Sequence, residues 1–251
     1  MACLEIAGLT KAFGGLRAVD GFSCSVEEGK VTSLIGPNGA GKTTVFNVVS
    51  GFLSPTAGQV LYRDRDITGM PSNRIVELGM ARTFQDLRLF HRMTVLENVM
   101  LGVQRQRGER LGHAVFALRT LRAERRAVRE KALGILEQLG LTARAEELTQ
   151  NLSYGEQKLL TIARAMATDA ELLLLDEPAA GVARDAIDTI LRVIRGLVGG
   201  GRTVLLVDHH MEAVMGVSDW VVVLDAGRKI AEGKPEAVQS NEEVVRVYLG
   251  L

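Results

Sequence analysis

The sequence predicts an α/β fold in which helices cover a largely parallel sheet. Residues 1–84 and 158–233 contain short β-rich runs interleaved with helical stretches, an alternation typical of parallel strands joined by helices. Residues 95–145 have no convincing strand and are rich in Leu, Ala, Arg and Glu, which predicts a helical insertion. The strand candidates are residues 31–35, 60–62, 172–175, 203–207 and 221–224.

The run 31–35 (V-T-S-L-I) leads directly into G-P-N-G-A-G-K-T-T and then into a helical stretch that begins near Lys42. The spacing G-x-x-x-x-G-K-T between a strand and a helix is that of a phosphate-binding loop. Glycines let backbone N–H groups face phosphate oxygens, and the helix N-terminus adds the positive end of its dipole. Lys42 would bind the β and γ phosphates, and the Thr43 hydroxyl would bind Mg²⁺. The predicted nucleotide-binding residues of this loop are Gly36, Pro37, Asn38, Gly39, Ala40, Gly41, Lys42, Thr43 and Thr44.

A second cluster lies at residues 172–178 (L-L-L-L-D-E-P), where an aliphatic run ends in two carboxylates. A buried parallel strand has this pattern when its C-terminal end opens onto a site. We expect Asp176 to hold Mg²⁺, directly or through water, and Glu177 to orient or deprotonate the attacking water.

Two further patterns describe the helices. Leu133, Leu136 and Leu139 follow each other at helical spacing and predict an apolar stripe on an otherwise charged element. Glycines at 199–201 predict a turn between a helix and the strand that begins at Thr203.

The composition excludes several classes of protein. Lys plus Arg and Asp plus Glu are both 30 in a chain of 251 residues, so nothing indicates a general nucleic-acid binder. Cys3 and Cys24 have no metal-ligand spacing and are too few for a disulfide framework, which favours a reducing cytosol. No apolar run approaches the ~20 residues that span a bilayer, and Glu5 interrupts the region where a signal peptide would be hydrophobic.

With L-S-Y-G-E-Q at residues 152–157, the chain resembles the ATP-binding subunits of ABC transporters over essentially its whole length. The segments occur in that family's order: aromatic loop, phosphate loop, glutamine loop, signature, acidic strand end and histidine loop. Within the family it is most similar to the ATPases of branched-chain amino acid importers. That finer match is carried by F-G-G-L at 13–16, the segment 79–101, P-A-A-G at 178–181 and Y-L-G at 248–250.

The resemblance implies a single ABC ATPase domain. Its P-loop NTPase core would have a mainly parallel sheet and an antiparallel β part, formed by residues 1–94 and 158–251. Residues 95–157 would form the inserted helical subdomain that carries the signature.

The resemblance also implies further site residues. Phe13 matches the aromatic residue that stacks on adenine, although a core position is a close alternative. Gln85 matches the glutamine that senses Mg²⁺ and the attacking water. Ser153 and Gly155 match the signature residues that close over the γ-phosphate held by a second ATPase subunit, so that each active site would be shared.

Three departures stand out from the family's pattern. Tyr154 and Glu156 replace a glycine and the glutamine of the usual L-S-G-G-Q signature. Ala183 stands where an Asp commonly communicates with the opposite site. Two histidines, His209 and His210, follow the strand 203–207 where the family generally has one, and His209 occupies the family's position for contact with γ-phosphate.

The resemblance implies an ATP-hydrolysing subunit of an importer for branched-chain or other hydrophobic amino acids, acting at the cytoplasmic face of a bacterial or archaeal plasma membrane. ATP and Mg²⁺ would be its cofactors. Its partners would be transmembrane permease subunits, a second ATPase subunit that is identical or related, and indirectly a substrate-binding protein. The alternatives are the ATPase of a lipopolysaccharide-type exporter and, more remotely, a soluble ABC ATPase of DNA repair or translation.

Two surface segments are candidates for contacts at the membrane. An apolar patch after the glutamine loop is predicted to be exposed and to seat a permease helix, and its members are Leu87, Leu89, Phe90, Met93 and Val95. The Arg-rich stretch 104–131 is interpreted as a solvated helix face, with attraction to anionic lipid as the alternative.

Overall fold

The computed structural model describes residues 1–103, 118–208 and 211–249. The chain divides into two units, one formed by residues 1–82 with 171–251 and the other by residues 83–170. These divisions differ from the boundaries at 94/95 and 157/158 that the resemblance implies. The difference arises because the signature helix, Tyr154–Ala167, packs against the helices Val95–Met100 and Leu118–Gln138 of the second unit.

The first unit contains a six-stranded sheet in the order β10-β9-β3-β8-β7-β6. The pairs β9-β3, β3-β8, β8-β7 and β7-β6 are parallel, and only β10 is antiparallel to its neighbour β9. This arrangement confirms the predicted, mainly parallel sheet. The strands are β3 (Val31–Ile35), β6 (Met80–Arg82), β7 (Leu172–Asp176), β8 (Thr203–Val207), β9 (Trp220–Asp225) and β10 (Arg228–Gly233).

A separate antiparallel sheet in the same unit has the order β2-β1-β4-β5. Its strands are β1 (Ala2–Phe13), β2 (Leu16–Glu27), β4 (Ala57–Tyr62) and β5 (Arg65–Asp66). The long hairpin β1–β2 was not among the strand candidates. Its pairing register shifts four times, so its buried residues alternate irregularly and form no apolar run.

Both faces of the parallel sheet are buried, which explains why its strands have near-continuous apolar runs. On one face Leu34, Leu174 and Leu224 pack with helix α1 (Lys42–Val49) and with side chains of the antiparallel sheet, including Phe22. On the other face Ile35 and its neighbours on β9 pack against the later helices. The remaining helices of this unit are α2 (Ser72–Glu77), α6 (Arg184–Gly199), α7 (Met211–Val217), α8 (Pro235–Gln239) and α9 (Glu242–Leu249).

The described part of the second unit is helical, as predicted for the insertion. Its helices are α3 (Val95–Met100), α4 (Leu118–Gln138) and α5 (Tyr154–Ala167), with 3₁₀ turns at Thr142–Arg144 and Thr149–Asn151. The leucine stripe is confirmed, since Leu136 and Leu139 are buried and Leu133 is partly buried. None of the helices in the described ranges is long and apolar enough to cross a bilayer.

The predicted apolar patch is wrong as a continuous exposed surface. Leu89 and Val95 are buried, Leu87 and Met93 are partly buried, and only Phe90 is largely exposed. The buried Asn98 side chain explains this, because it bonds both backbone groups of Phe90 and folds the segment onto α3. Residues 104–117 of the Arg-rich stretch lie outside the described residues, and its described arginines after residue 121 are largely exposed on α4.

Candidate functional site

The phosphate loop is formed where β3 ends and α1 begins. A side chain at Gly36 would place its Cβ 2.0 Å from the Leu224 carbonyl oxygen, and one at Gly41 would lie 2.5 Å from the Ala18 carbonyl oxygen. Gly39 has no neighbour within 4 Å of the corresponding position and a φ of 82°. The loop is therefore held closely by the core near both of its ends, while Gly39 in its middle has open space beside it.

Lys42 is folded back onto this loop. Its ammonium group donates to the carbonyl oxygens of Gly36 at 2.7 Å and Pro37 at 2.8 Å, and only 7% of the residue is exposed. Burial lowers its pKa, and the negative charges of Glu177 and Asp176 partly offset this effect. The charge of the lysine therefore interacts with the charges of the two carboxylates.

The carboxylates lie at the C-terminal end of β7. Asp176 is 6% exposed and pairs in register with Val207 on β8. Glu177 has a φ of 47°, which is unfavourable for a residue with a Cβ, and its N–H donates to the Val207 carbonyl oxygen at 2.8 Å. Such strain persists where the surrounding structure imposes it, and it is common at functional sites.

Two buried charged residues around this strand end were missed by the sequence analysis. Asp208 is 1% exposed, and one of its carboxylate oxygens accepts from the Ala179 N–H at 3.2 Å, which restrains the turn after Glu177. Arg82, at the end of β6, forms a buried ion pair with Asp176 at 2.7 Å. Asp208 follows an apolar strand just as Asp176 does, and that pattern could have identified it.

The predicted residues of the second unit have their own local arrangement. Ser153 caps α5 through a capping box: Glu156 accepts from the Ser153 N–H and hydroxyl, both at 2.8 Å, while the Glu156 N–H donates to that hydroxyl at 3.3 Å. The Glu156 carboxylate also accepts from Arg144 at 3.1 Å. Burial acts to raise the pKa of Glu156, but the bonds to Ser153 and the charge of Arg144 outweigh it, so the pKa is lowered. Gln85 is exposed.

The remaining predicted residues are the aromatic-loop phenylalanine, the alanine after the acidic strand end and the two histidines. Phe13 is 47% exposed, with the Lys11 ammonium 5.2 Å from the centre of its ring, so it does not occupy a core position. Ala183 is the N-cap of α6 and makes no side-chain cap. His209 and His210 lie outside the described residues.

Comparison with known proteins decides the family. The family model for ABC transporters matches residues 19–180, and a model for branched-chain amino acid ATP-binding cassette transporters matches residues 228–250. The chain belongs to the ABC transporter family. It is one of the ATP-hydrolysing subunits of that family, with the P-loop fold that the sequence predicts.

Relatives match the chain over nearly its whole length. It is 42% identical to the high-affinity branched-chain amino acid transport ATP-binding protein BraF of Pseudomonas aeruginosa, over 98% of this chain and 97% of the relative. It is 43% identical to a probable branched-chain amino acid transport ATP-binding protein, LivG, of Archaeoglobus fulgidus, over 100% of this chain and 96% of the relative. A nucleotide-free ATP-binding cassette from an ABC transporter has a TM-score of 0.87 and 36% identity, with both chains fully covered.

The groups that this ATP-binding cassette presents fit a magnesium nucleotide. Gly36 and Gly41 stand where any Cβ would clash with the core, so the loop can keep the tight bend that a phosphate cradle needs. The exposed Thr43 hydroxyl and the Asp176 carboxylate are hard oxygen donors of the kind that Mg²⁺ prefers. The exposed ring of Phe13 offers a face on which a flat base could stack.

Proposed function

We propose that this subunit powers the uptake of branched-chain or other hydrophobic amino acids. The observation that carries the proposal is the identity of 42–43% over nearly the full chain with relatives named for branched-chain amino acid transport. The match of residues 228–250, which contain β10, α8 and α9, to a model named for the same transporters supports it. Both observations favour the importer over the lipopolysaccharide-type exporter.

In the proposed reaction the loop 36–44 binds the phosphates of ATP. Lys42 exchanges its bonds to the carbonyl oxygens of Gly36 and Pro37 for bonds to the β and γ phosphates, and Phe13 stacks on the adenine. Thr43, Gln85 and Asp176 would hold Mg²⁺, which would supply positive charge to the phosphate oxygens.

Glu177 orients the attacking water and accepts its proton, while His209 contacts the γ-phosphate. The hydrogen bond from the Glu177 N–H to Val207 and the bond from Ala179 to Asp208 hold the turn on which this carboxylate lies. A carboxylate that is fixed before the reaction requires less reorganisation when charge develops.

The active site is completed by a second ATPase subunit, identical or related. Ser153 and Gly155 lie at the N-terminal end of α5, which has 14 residues. Ser153 and Tyr154 are exposed there, and the Ser153 hydroxyl and N–H bond to Glu156. Ser153 and Gly155 would close over the γ-phosphate held by the partner subunit. Closing and opening of the pair of ATPase subunits would drive the transmembrane permease subunits. The chain would be a peripheral subunit on their cytoplasmic face. A substrate-binding protein would deliver the substrate to the permease subunits.

Uptake in the organism that carries this chain tests the proposal. The chromosomal gene is replaced by one that encodes Glu177→Gln, and uptake of labelled leucine, isoleucine and valine is measured at low external concentration. We expect uptake of these amino acids to fall at least tenfold, because the variant lacks the carboxylate proposed to activate water. The rate constant of hydrolysis decreases tenfold for each ~1.4 kcal/mol of lost transition-state stabilisation.

The control is Glu171→Gln, which alters a surface carboxylate at the opposite end of β7 that pairs with Arg63. It should leave uptake at the parental level. Unchanged amino acid uptake in the Glu177→Gln strain, together with altered export of a lipid, would replace the importer by the exporter.

A further inference from the structure

Arg82 has a buried side chain beside the Asp176 carboxylate, and the proposed reaction gives it no role. It is the last residue of β6, and only 6% of its side chain is exposed. Its guanidinium donates to the Asp176 carboxylate at 2.7 Å, to the Asn47 side-chain oxygen at 2.7 Å and to the Ser50 hydroxyl at 2.9 Å.

The surroundings hold this guanidinium in one place. It lies over the rings of Phe46 and Phe52, at 5.5 Å and 5.9 Å from their centres. Asn47 lies on α1, and Ser50 is the first residue after the end of this helix. Helix α1 begins at Lys42 in the phosphate loop. Arg82 therefore connects the far end of that helix to the acidic end of β7.

A buried carboxylate needs a compensating cation. Asp176 has 7% of its side chain exposed, so leaving its negative charge without a partner would be costly, and breaking a buried ion pair is among the most destabilising changes known. Under the proposed function, Asp176 also binds Mg²⁺. Two cations thus act on one carboxylate, and one of them belongs to the chain.

We infer that Arg82 is a positioning residue that serves as the resident counter-ion of Asp176 and thereby limits how tightly the Mg²⁺-nucleotide is held. This inference rests on the proposed role of Asp176. In the metal-free protein Arg82 compensates the charge of the Asp176 carboxylate and holds it, through the ion pair, at the end of β6. When Mg²⁺ binds, the metal compensates the same charge, so the contribution of Arg82 becomes smaller.

The sign of the effect follows from linkage. Removal of Arg82 destabilises the metal-free state more than the metal-bound state, because in the metal-bound state Mg²⁺ also compensates the charge of Asp176. The variant should therefore be less stable without Mg²⁺ and should gain more from Mg²⁺ than the parent does. Removal of a residue that merely supported the fold would lower the nucleotide affinities with and without Mg²⁺ by the same factor, or would change neither.

The experiment compares the parent with Arg82→Gln, whose amide keeps hydrogen-bonding groups and removes the charge. The dissociation constant of ADP is measured by calorimetry with EDTA and with excess Mg²⁺. The constant in EDTA divided by the constant in Mg²⁺ gives the gain in ADP affinity that Mg²⁺ provides. ADP is used because it is not hydrolysed and needs no second subunit. We expect the ratio to rise about tenfold, equivalent to about 1.4 kcal/mol, with a lower melting temperature in EDTA.

The matched control is Arg195→Gln, which breaks an exposed ion pair with Asp219 at 2.9 Å in the same unit. Its ratio and its melting temperature should stay parental. If Arg82→Gln does not fold, Arg82→Lys is used; its ammonium group cannot make all three bonds at once, and the ratio should rise about threefold. An unchanged or smaller ratio in the folded variant overturns the inference.

Asp176→Asn separates this inference from the proposed function. If Asp176 binds Mg²⁺, the parent shows a gain from Mg²⁺ that Asp176→Asn loses, whatever Arg82 does. If the parental gain survives in Asp176→Asn, the metal-binding role of Asp176 fails and the inference fails with it. If the gain is lost but Arg82→Gln leaves the ratio unchanged, only the role of Arg82 is wrong.

Discussion

At the scale of single residues, the site contains one residue with an unfavourable backbone conformation and two buried charged groups. Glu177 keeps a positive φ, Lys42 is a buried ammonium group, and Asp176 is a buried carboxylate. Each of them is stabilised by specific neighbours: the Val207 carbonyl, the loop carbonyls and the Arg82 guanidinium. Because the partners of Glu177 and Asp176 come from neighbouring strands, these two carboxylates are fixed before the nucleotide arrives, whereas Lys42 changes partners when it binds the phosphates.

Glu177→Gln should separate binding from hydrolysis. The amide is nearly isosteric and leaves Lys42, Asp176 and the loop unchanged, so ATP affinity should stay within about threefold of the parental value. Removal of a general base typically costs 10²–10⁴-fold in rate, so hydrolysis should fall by about 100-fold or more. Steady-state phosphate release and nucleotide binding measure the two effects. Hydrolysis at the parental rate would remove Glu177 from the mechanism, and Glu171→Gln should leave both quantities unchanged.

At the scale of elements, helix α5 shows how a departure from the family's pattern is accommodated. Glu156 replaces the glutamine of the usual signature, and its carboxylate closes the helix N-terminus onto Ser153 and binds Arg144. Glutamine can make the same capping box, because its side-chain oxygen also accepts from the N-cap N–H. The departure therefore keeps the cap and adds a negative charge near the residues proposed to meet γ-phosphate.

This charge makes the stability of the second unit depend on pH. The pKa of Glu156 is lowered in the folded protein, so its contribution is present above the ordinary glutamate pKa of about 4.3 and is lost as pH falls through the lower folded value. The free energy of unfolding should therefore fall less steeply below about pH 4.3 in Glu156→Gln than in the parent. Denaturant unfolding measured at a series of pH values tests this. Equal slopes would show that Glu156 does not titrate with folding, and the exposed Glu137→Gln on α4 is the control.

At the scale of the whole molecule, the proposed function places the two parts of one active site on two different subunits. The N-terminal end of α5, with Ser153 at its cap, is exposed and belongs to a different unit from the phosphate loop. A second subunit would supply the corresponding helix end in trans. Hydrolysis should then depend on association as well as on chemistry.

The specific activity of the purified chain should fall on dilution, because two subunits are needed to close one site. ATPase rates measured over a wide range of protein concentrations should rise more than linearly, and Ser153→Arg should abolish this dependence by blocking the helix end. Thr142→Arg, on a separate turn of the same unit, is the control and should keep the parental curve. Constant specific activity below any dimerisation constant would contradict the shared site.

The sequence by itself determined the features that depend on local order. The strands β3 and β8 appear at their predicted limits, and α1 begins at Lys42, because strand, glycine loop and helix follow one another within a few residues. The phosphate loop and the acidic strand end are local patterns of the same kind, and the chemistry predicted for them stays a prediction. The hairpin β1–β2 could not, because its irregular register leaves no period in the sequence.

Only the tertiary structure decided the features that depend on contacts between distant segments. Arg82 and Asp176 are 94 residues apart, and the ion pair between them exists because β6 and β7 are neighbours in the sheet. The apolar residues after Gln85 looked exposed in the sequence, but the buried Asn98 folds that segment onto α3. Pairing across a sheet and burial of a polar side chain are set by the whole packing arrangement, and a local pattern does not record them.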